Sequence, residues 1–371
     1  MKRFLYILSA VFFLYLCTAC TEAEVMHPDG GKQPEESVPL SVKSLGMWME
    51  VESRSIVTGG PGAEEKNPNP LTSVGVCVTK RNGSGAVSFY ASSVKSQLFT
   101  YNATAVPPAW ELAEGEEPLC LYTEKGTVYA YAPSGKSVSL SGTPKVPSIS
   151  GIKVLDKQKF SFNDGGVPVD AATDVQWETD QDDYLYCTAA DQVDRWYPEV
   201  SLLMEHALAK VSFRVSEAEG GTAFSGCRIA RVTLKSDAGL KKSTSAKLNL
   251  STGALEGTMT DVGELAFIAD GDLREVGSGV TDASKVAVQA FGLVIPVTDV
   301  GVTLVLTLED GRTFNMKPAE GNGNVPGTFT VNWEKGYNYI YNIRLQPQGI
   351  ELADIRVAGW NDGGAHDIPV E

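Results

Sequence analysis

Apolar and polar residues alternate with a period of two along most of this chain, and that period commits it to strands. Val74-Gly75-Val76-Cys77-Val78-Thr79, Val128-Tyr129-Ala130-Tyr131, Ala209-Lys210-Val211-Ser212-Phe213-Arg214-Val215, Val302-Thr303-Leu304-Val305-Leu306 and Tyr339-Ile340-Tyr341-Asn342-Ile343 are examples. β-Branched and aromatic side chains fill the runs, as suits a pleated, half-buried surface. Turn residues separate them, as in Arg81-Asn82-Gly83-Ser84, Ser134-Gly135 and Glu309-Asp310-Gly311-Arg312. Asn-Gly and Asp-Gly tolerate the positive φ of tight hairpins. Many short strands with one apolar face imply sandwiches or barrels, an all-β fold. One stretch reads differently. After Pro198, residues 199–208 carry apolar side chains at spacings of three and four, which predicts a helix.

The length, 371 residues, suits two domains. A break near the predicted helix divides them into residues 41–199 and 200–371. Charge then narrows the partners. With 31 basic and 46 acidic residues the net charge is -15. Such a surface repels phosphate backbones, which argues against nucleic acid as a partner, and against adhesion to anionic lipid by charge alone.

The first forty residues read as export and tethering. Lys2 and Arg3 precede an uncharged apolar run over 4–17. That is a secretory signal, too short to span a bilayer as a helix. It ends Leu16-Cys17-Thr18-Ala19-Cys20, which resembles a bacterial lipobox with Cys20 as the lipidated residue and Cys17 where Leu is usual. The expectation is a signal peptide over 1–20 and an outer-membrane lipoprotein held by lipid on Cys20. The alternative is an ordinary cleaved signal. Residues 21–40 are acidic and rich in Pro and Gly, as a flexible tether requires.

The residues that carry chemistry do not converge. Cys77, Cys120, Cys187 and Cys227 are widely spaced, with no metal-ligand pattern. Cys77, Cys120 and Cys187 sit in strand-like runs and read as small buried hydrophobes, and export leaves the pairing of all four open. His27, His206 and His366 have no companion at ligand or triad spacing. Asp180, Asp182 and Asp183 offer a calcium site or a solvated turn, with the turn favoured, and the same holds for Asp270 and Asp272. Gly321, Gly323 and Gly327 precede a strand, the wrong context for a phosphate loop. Trp110, Trp177, Trp196, Trp333 and Trp360 are core residues or sugar-stacking faces. Trp196 with Tyr197 is the best exposed pair. No catalytic residue, metal or cofactor is assigned.

Four segments together resemble a known family. They are Asp183-Tyr184-Leu185-Tyr186-Cys187, His206-Ala207-Leu208-Ala209-Lys210-Val211, Trp333-Glu334-Lys335-Gly336-Tyr337-Asn338-Tyr339 and Val357-Ala358-Gly359-Trp360-Asn361. In this order, after a lipoprotein leader, they resemble Bacteroidetes fimbrillins of the type V pilus, the minor-fimbrillin-like group above all. The resemblance implies two transthyretin-like β-sandwiches and no enzyme activity. It also implies assembly with other fimbrillin subunits by strand exchange. In that family a protease cuts after Arg or Lys near the mature start, and a strand from another subunit fills the groove so opened. Arg54 matches the cleavage position, and the segment before it, residues 38–45, has the alternation of a removable strand. Ile350, Leu352, Ile355 and Val357 mark a candidate donor strand. Against these stand plainer readings: Arg54 as a loop residue, and 350–357 as the last strand of its own domain. A non-polymerising surface lipoprotein binding glycan or host protein is the alternative function, and a secreted hydrolase the third.

Overall fold

The computed structural model describes residues 36–47, 70–163, 176–218, 221–280, 285–318, 326–359 and 366–368. Every element named among them is a strand. In chain order they begin β1 (Val38–Pro39), β2 (Ser41–Met47), β3 (Ser73–Arg81), β4 (Val87–Phe89), β5 (Gln97–Asn102), β6 (Ala109–Leu112), β7 (Cys120–Leu121), β8 (Gly126–Ala132) and β9 (Val138–Ser141). Next come β10 (Val146–Val154), β11 (Lys157–Asn163), β12 (Gln176–Thr179), β13 (Leu185–Val193), β14 (Glu199–His206), β15 (Ala209–Glu217), β16 (Ile229–Lys235), β17 (Lys241–Asn249) and β18 (Leu255–Glu256). The last are β19 (Thr260–Asp261), β20 (Glu264–Ala269), β21 (Ala290–Val294), β22 (Val297–Leu308), β23 (Thr313–Asn315), β24 (Phe329–Trp333), β25 (Tyr337–Gln346), β26 (Gly349–Gly359) and β27 (His366–Ile368).

The all-β expectation holds, and the predicted helix does not. Residues 199–206 form β14, in which Val200, Leu202, Met204 and His206 point inward while Glu199, Ser201 and Leu203 are exposed. The adjacent pair Leu202-Leu203 fits a helical stripe and a strand equally well. Pairing with β13 and β2 on its two edges decides for the strand.

The first sheet runs β2-β14-β13-β8-β3-β5-β6, with β4 on β3. It curls until its edge strands β2 and β6 lie side by side. Inside are Val74, Val76, Val78, Val128, Ala130, Leu185, Leu202 and Phe99. The outer faces of β3, β8 and β13 are covered too. Cys77, Tyr129, Tyr131, Tyr184 and Tyr186 pack there against Ile149, Ile152, Ala246 and Leu248 of the sheet β18-β17-β10-β9. Burial on both faces explains why β3 and β8 are almost wholly apolar.

A third layer pair encloses the largest core. The sheet β12-β11-β20-β16-β22-β23, with β24 on β22, faces β21-β15-β25-β26-β27. Phe213 stacks on Tyr341 at 5.4 Å and meets Phe267 at 5.5 Å, and Trp333 Nε1 donates to Tyr341 Oη at 2.7 Å. The chain crosses between these bodies. β9 to β12 leave the first sheet to pair among later strands, and β13 and β14 return to it. Residues 157–163 and 176–179 thus share a sheet with β20, while β14 completes the first core.

Close approach of β21 to β20 demands a glycine. A Cβ on Gly292 would stand 2.1 Å from the Phe267 ring. Gly292→Ala is therefore expected to cost about 1–3 kcal/mol through forced repacking. A lowered urea midpoint with unchanged slope is the readout, and an unchanged midpoint would show that the ring moves aside freely.

Candidate functional site

The feature that distinguishes the first sheet is how its edge is completed. β2 runs parallel to β14 and pairs with no other strand among the described residues. Leu40, Val42, Leu45 and Met47 enter the core from this edge, each at most 8% exposed. Burying such side chains stabilises by roughly 1.5–3 kcal/mol apiece, an upper estimate. Their spacing is irregular for a strand because Lys43 is a bulge. Val42 pairs with Val200 and Ser44 with Ser201, leaving Lys43 without a partner across the ladder. The segment is tied down at its start, where Leu40 N donates to Leu119 O and Ser41 N to Pro198 O, both at 2.9 Å. Ser44 Oγ also donates to Ser201 Oγ at 2.9 Å. The end of the stretch read as a tether is therefore part of the fold, with Val38–Pro39 paired to β7 and Leu40 buried. Without residues 40–47, β14 would present unpaired N–H and C=O groups beside an emptied apolar slot.

The second segment is β26. It pairs antiparallel with β25 along its length, and with β27 over Ile355, Arg356 and Val357. Ile350 is buried, and Leu352, Ile355 and Val357 pack half-buried against the same core. Ala353 bulges here: Ile343 faces Leu352 while Asn342 faces Asp354.

The other residues singled out in the sequence go elsewhere. Cys20, Arg54, His27 and Trp360 lie outside the described residues, as do Gly321 and Gly323, and the side chains of Trp177 and His366 do too. Asp180 accepts from Lys159 N, Asp182 from Tyr184 Oη, and Asp183 lies 3.1 Å from His206 Nδ1, so the three carboxylates serve three partners. Asp270 pairs with Lys159 at 3.1 Å. Trp110 and Trp333 are core residues. Trp196 and Tyr197 are 58% and 72% exposed at the β13–β14 turn, with Arg195 stacked 4.6 Å over the Trp196 ring. Cys77 and Cys187 are buried free thiols, the Cys187 thiol pushed up to about 11 by burial. Cys227 is free, and Cys120 is disulfide-bonded.

Sequence reasoning missed the polar junction between the sheets. Lys335, at the β24–β25 turn, donates to Tyr186 Oη and to Thr252 O, and Tyr186 Oη donates to Glu205 at 2.5 Å. Nearby Lys210 is wholly buried, and burial pulls its ammonium down to about 7 against the opposing pull of Asp183. Lys335 and Lys210 both fall inside the recognised motifs, the one signal that marked them.

Residues 69–360 match a family model described as fimbrillin-like. The chain belongs to that family. Fimbrillins are structural and adhesive proteins, not enzymes, which agrees with a site made of backbone edges and apolar side chains. No curated protein matches the sequence. Among solved structures, a candidate cell adhesion protein of Bacteroides ovatus is 16% identical, covers 91% of this chain and 99% of its own, and has a TM-score of 0.48. A fimbrial protein of Bacteroides vulgatus is 13% identical, over 88% of this chain and 100% of its own, at 0.47. A fimbrial assembly protein of Parabacteroides distasonis is 12% identical, over 90% and 100%, at 0.38.

Proposed function

We propose that this fimbrillin-like chain is a subunit of a cell-surface fimbria that polymerises when proteolysis removes its first strand. The carrying observation is the edge position of β2, which fills the first core from outside while pairing, among the described residues, with β14 alone. Cleavage after Arg54 separates residues 36–47 from the rest of the chain. A strand from a second subunit then satisfies the β14 edge and inserts alternate apolar side chains into the slot. Residues 350–357 are the donor. The lipid on Cys20 holds the precursor at the outer membrane until the cut, and the acidic, Pro- and Gly-rich residues ahead of Val38 give it reach.

Limited trypsin treatment followed by size-exclusion chromatography tests this. Nicked protein should elute as a series of multimers that survive dilution, and untreated protein as a monomer. A nicked chain that stays monomeric would defeat the reading. The exposed Trp196–Tyr197 pair favours a second function, binding of glycan or host protein by a subunit that never polymerises. In that case nicking leaves the mass unchanged, and replacing both aromatics abolishes saturable binding to immobilised mucin.

A further inference from the structure

Leu40, Val42, Leu45 and Met47 enter the first core at spacings of two, three and two residues. Ile350, Leu352, Ile355 and Val357 face the last core at the same spacings. The three arises the same way in both. A single bulged residue follows the second inward side chain, Lys43 in one strand and Ala353 in the other. A pleated strand alternates with period two, so a step of three without a bulge would send half the side chains to the wrong face. Two strands of one chain share this interruption at the same place.

The geometry points to a defined register. On the strand-exchange reading, on which this inference rests, β26 of a second copy replaces residues 40–47 parallel to β14. Ile350 takes the place of Leu40, Leu352 of Val42, Ile355 of Leu45 and Val357 of Met47. Ala353 takes the bulge position of Lys43.

Three local features agree with that register. Leu352, Ile355 and Val357 are only half-buried in their own sheet, whereas the positions they take are at most 8% exposed, so these three side chains are more enclosed in the slot than at home. Ser44 pairs with Ser201 through their hydroxyls, and Asp354 at that position accepts from the Ser201 hydroxyl. Leu203 is 42% exposed, and its partner across the ladder is Gly46, which has no side chain to cover it. Arg356 replaces Gly46, and its aliphatic stem lies over Leu203. Against these gains stand the loss of the β25–β26 and β26–β27 ladders and of the burial of Ile350 in its own core, which the β14 edge and its slot replace in part.

Cross-linking reads the register directly. Two preparations of the full chain, one Ser201→Cys and the other Asp354→Cys, are nicked with trypsin, mixed and oxidised. A disulfide needs Cα atoms within about 7 Å, and a slip of two residues moves a strand about 6.6 Å. Asp354→Cys should therefore form covalent dimers with Ser201→Cys roughly tenfold faster than Arg356→Cys does. Arg356→Cys should prefer Leu203→Cys. A reversed preference would overturn the register. Multimers without cross-links at any of these pairs would overturn β26 as the donor while leaving strand exchange standing. Nicked protein that never associates would remove the reading beneath both. A lock supplies a second measurement, since Arg344 and Glu351 are partners across the β25–β26 ladder. Arg344→Cys/Glu351→Cys, oxidised before nicking, should remain monomeric and assemble on reduction. Assembly of the locked protein would show that β26 never leaves β25.

Discussion

Arg54→Ala should abolish assembly of the chain treated with a protease that cuts after arginine alone, since Arg54 is the one arginine in residues 48–69, while leaving its fold and thermal midpoint unchanged. While residues 48–69 join β2 to its own subunit, the strand competes for the β14 edge at an effective concentration of roughly millimolar. A donor from another subunit at micromolar concentration is then outcompeted by about a thousandfold. Cutting the connection removes that advantage. The freed segment still holds through its parallel ladder and four buried side chains, so exchange after cleavage should be slow and accelerated by warming. Unfolding-limited steps have large activation enthalpies. Terminal sequencing of the assembled protein should begin at Ser55, and gels of unheated samples should show a ladder for the native chain alone. Multimers from Arg54→Ala equal to those of the native chain, or a terminus elsewhere, would move the cut away from Arg54.

The architecture was legible where burial is one-sided or two-sided in a simple way. Alternation in 329–333 and near-continuous apolarity in 128–132 both translate directly into strands. Glycine positions were legible in part. Gly311 and Gly135 adopt the positive φ expected of them, but in the hairpin after Arg81 it is Gly85 that does so, at 81°. There Asn82 folds back, its Oδ1 accepting from Ser84 N and Ala86 N. β14 was illegible because two adjacent leucines satisfy a helical stripe, and only its neighbours reveal which one faces water. The bulges were illegible for a related reason. A step of three between apolar residues breaks the strand pattern unless a partner strand shows one residue skipped. Partners of buried polar groups carry no local signal at all. Asp183 and His206 are 23 residues apart, and Lys335 and Tyr186 are 149 apart.

The second large effect concerns Lys210. Its ordinary value as an unfolded lysine is about 10.4, and burial at the start of β15 brings it down to about 7. Between these values the unfolded chain binds a proton that the folded chain does not. Stability therefore rises with pH through that window, and falls as pH drops from about 10 to 7. Below about 7 the ammonium is charged in both states and the dependence flattens. The full span amounts to at most a few kcal/mol. Burial pushes Cys187 up to about 11, and raises Cys77, Tyr184 and Tyr341, which makes the folded chain hold protons longer at high pH. Those groups act with the opposite sign, so the Lys210 effect must be read as a difference. Lys210→Met keeps the aliphatic stem among Ala209, Val211 and the Phe291 ring, which the ammonium approaches at 5.7 Å. Urea unfolding of both proteins at pH 7 and pH 10 gives the test. The variant should be the more stable by a few kcal/mol at pH 7, and the gap should close by pH 10. A gap independent of pH would mean that Lys210 stays charged throughout, held by the Asp183 carboxylate more strongly than burial opposes it.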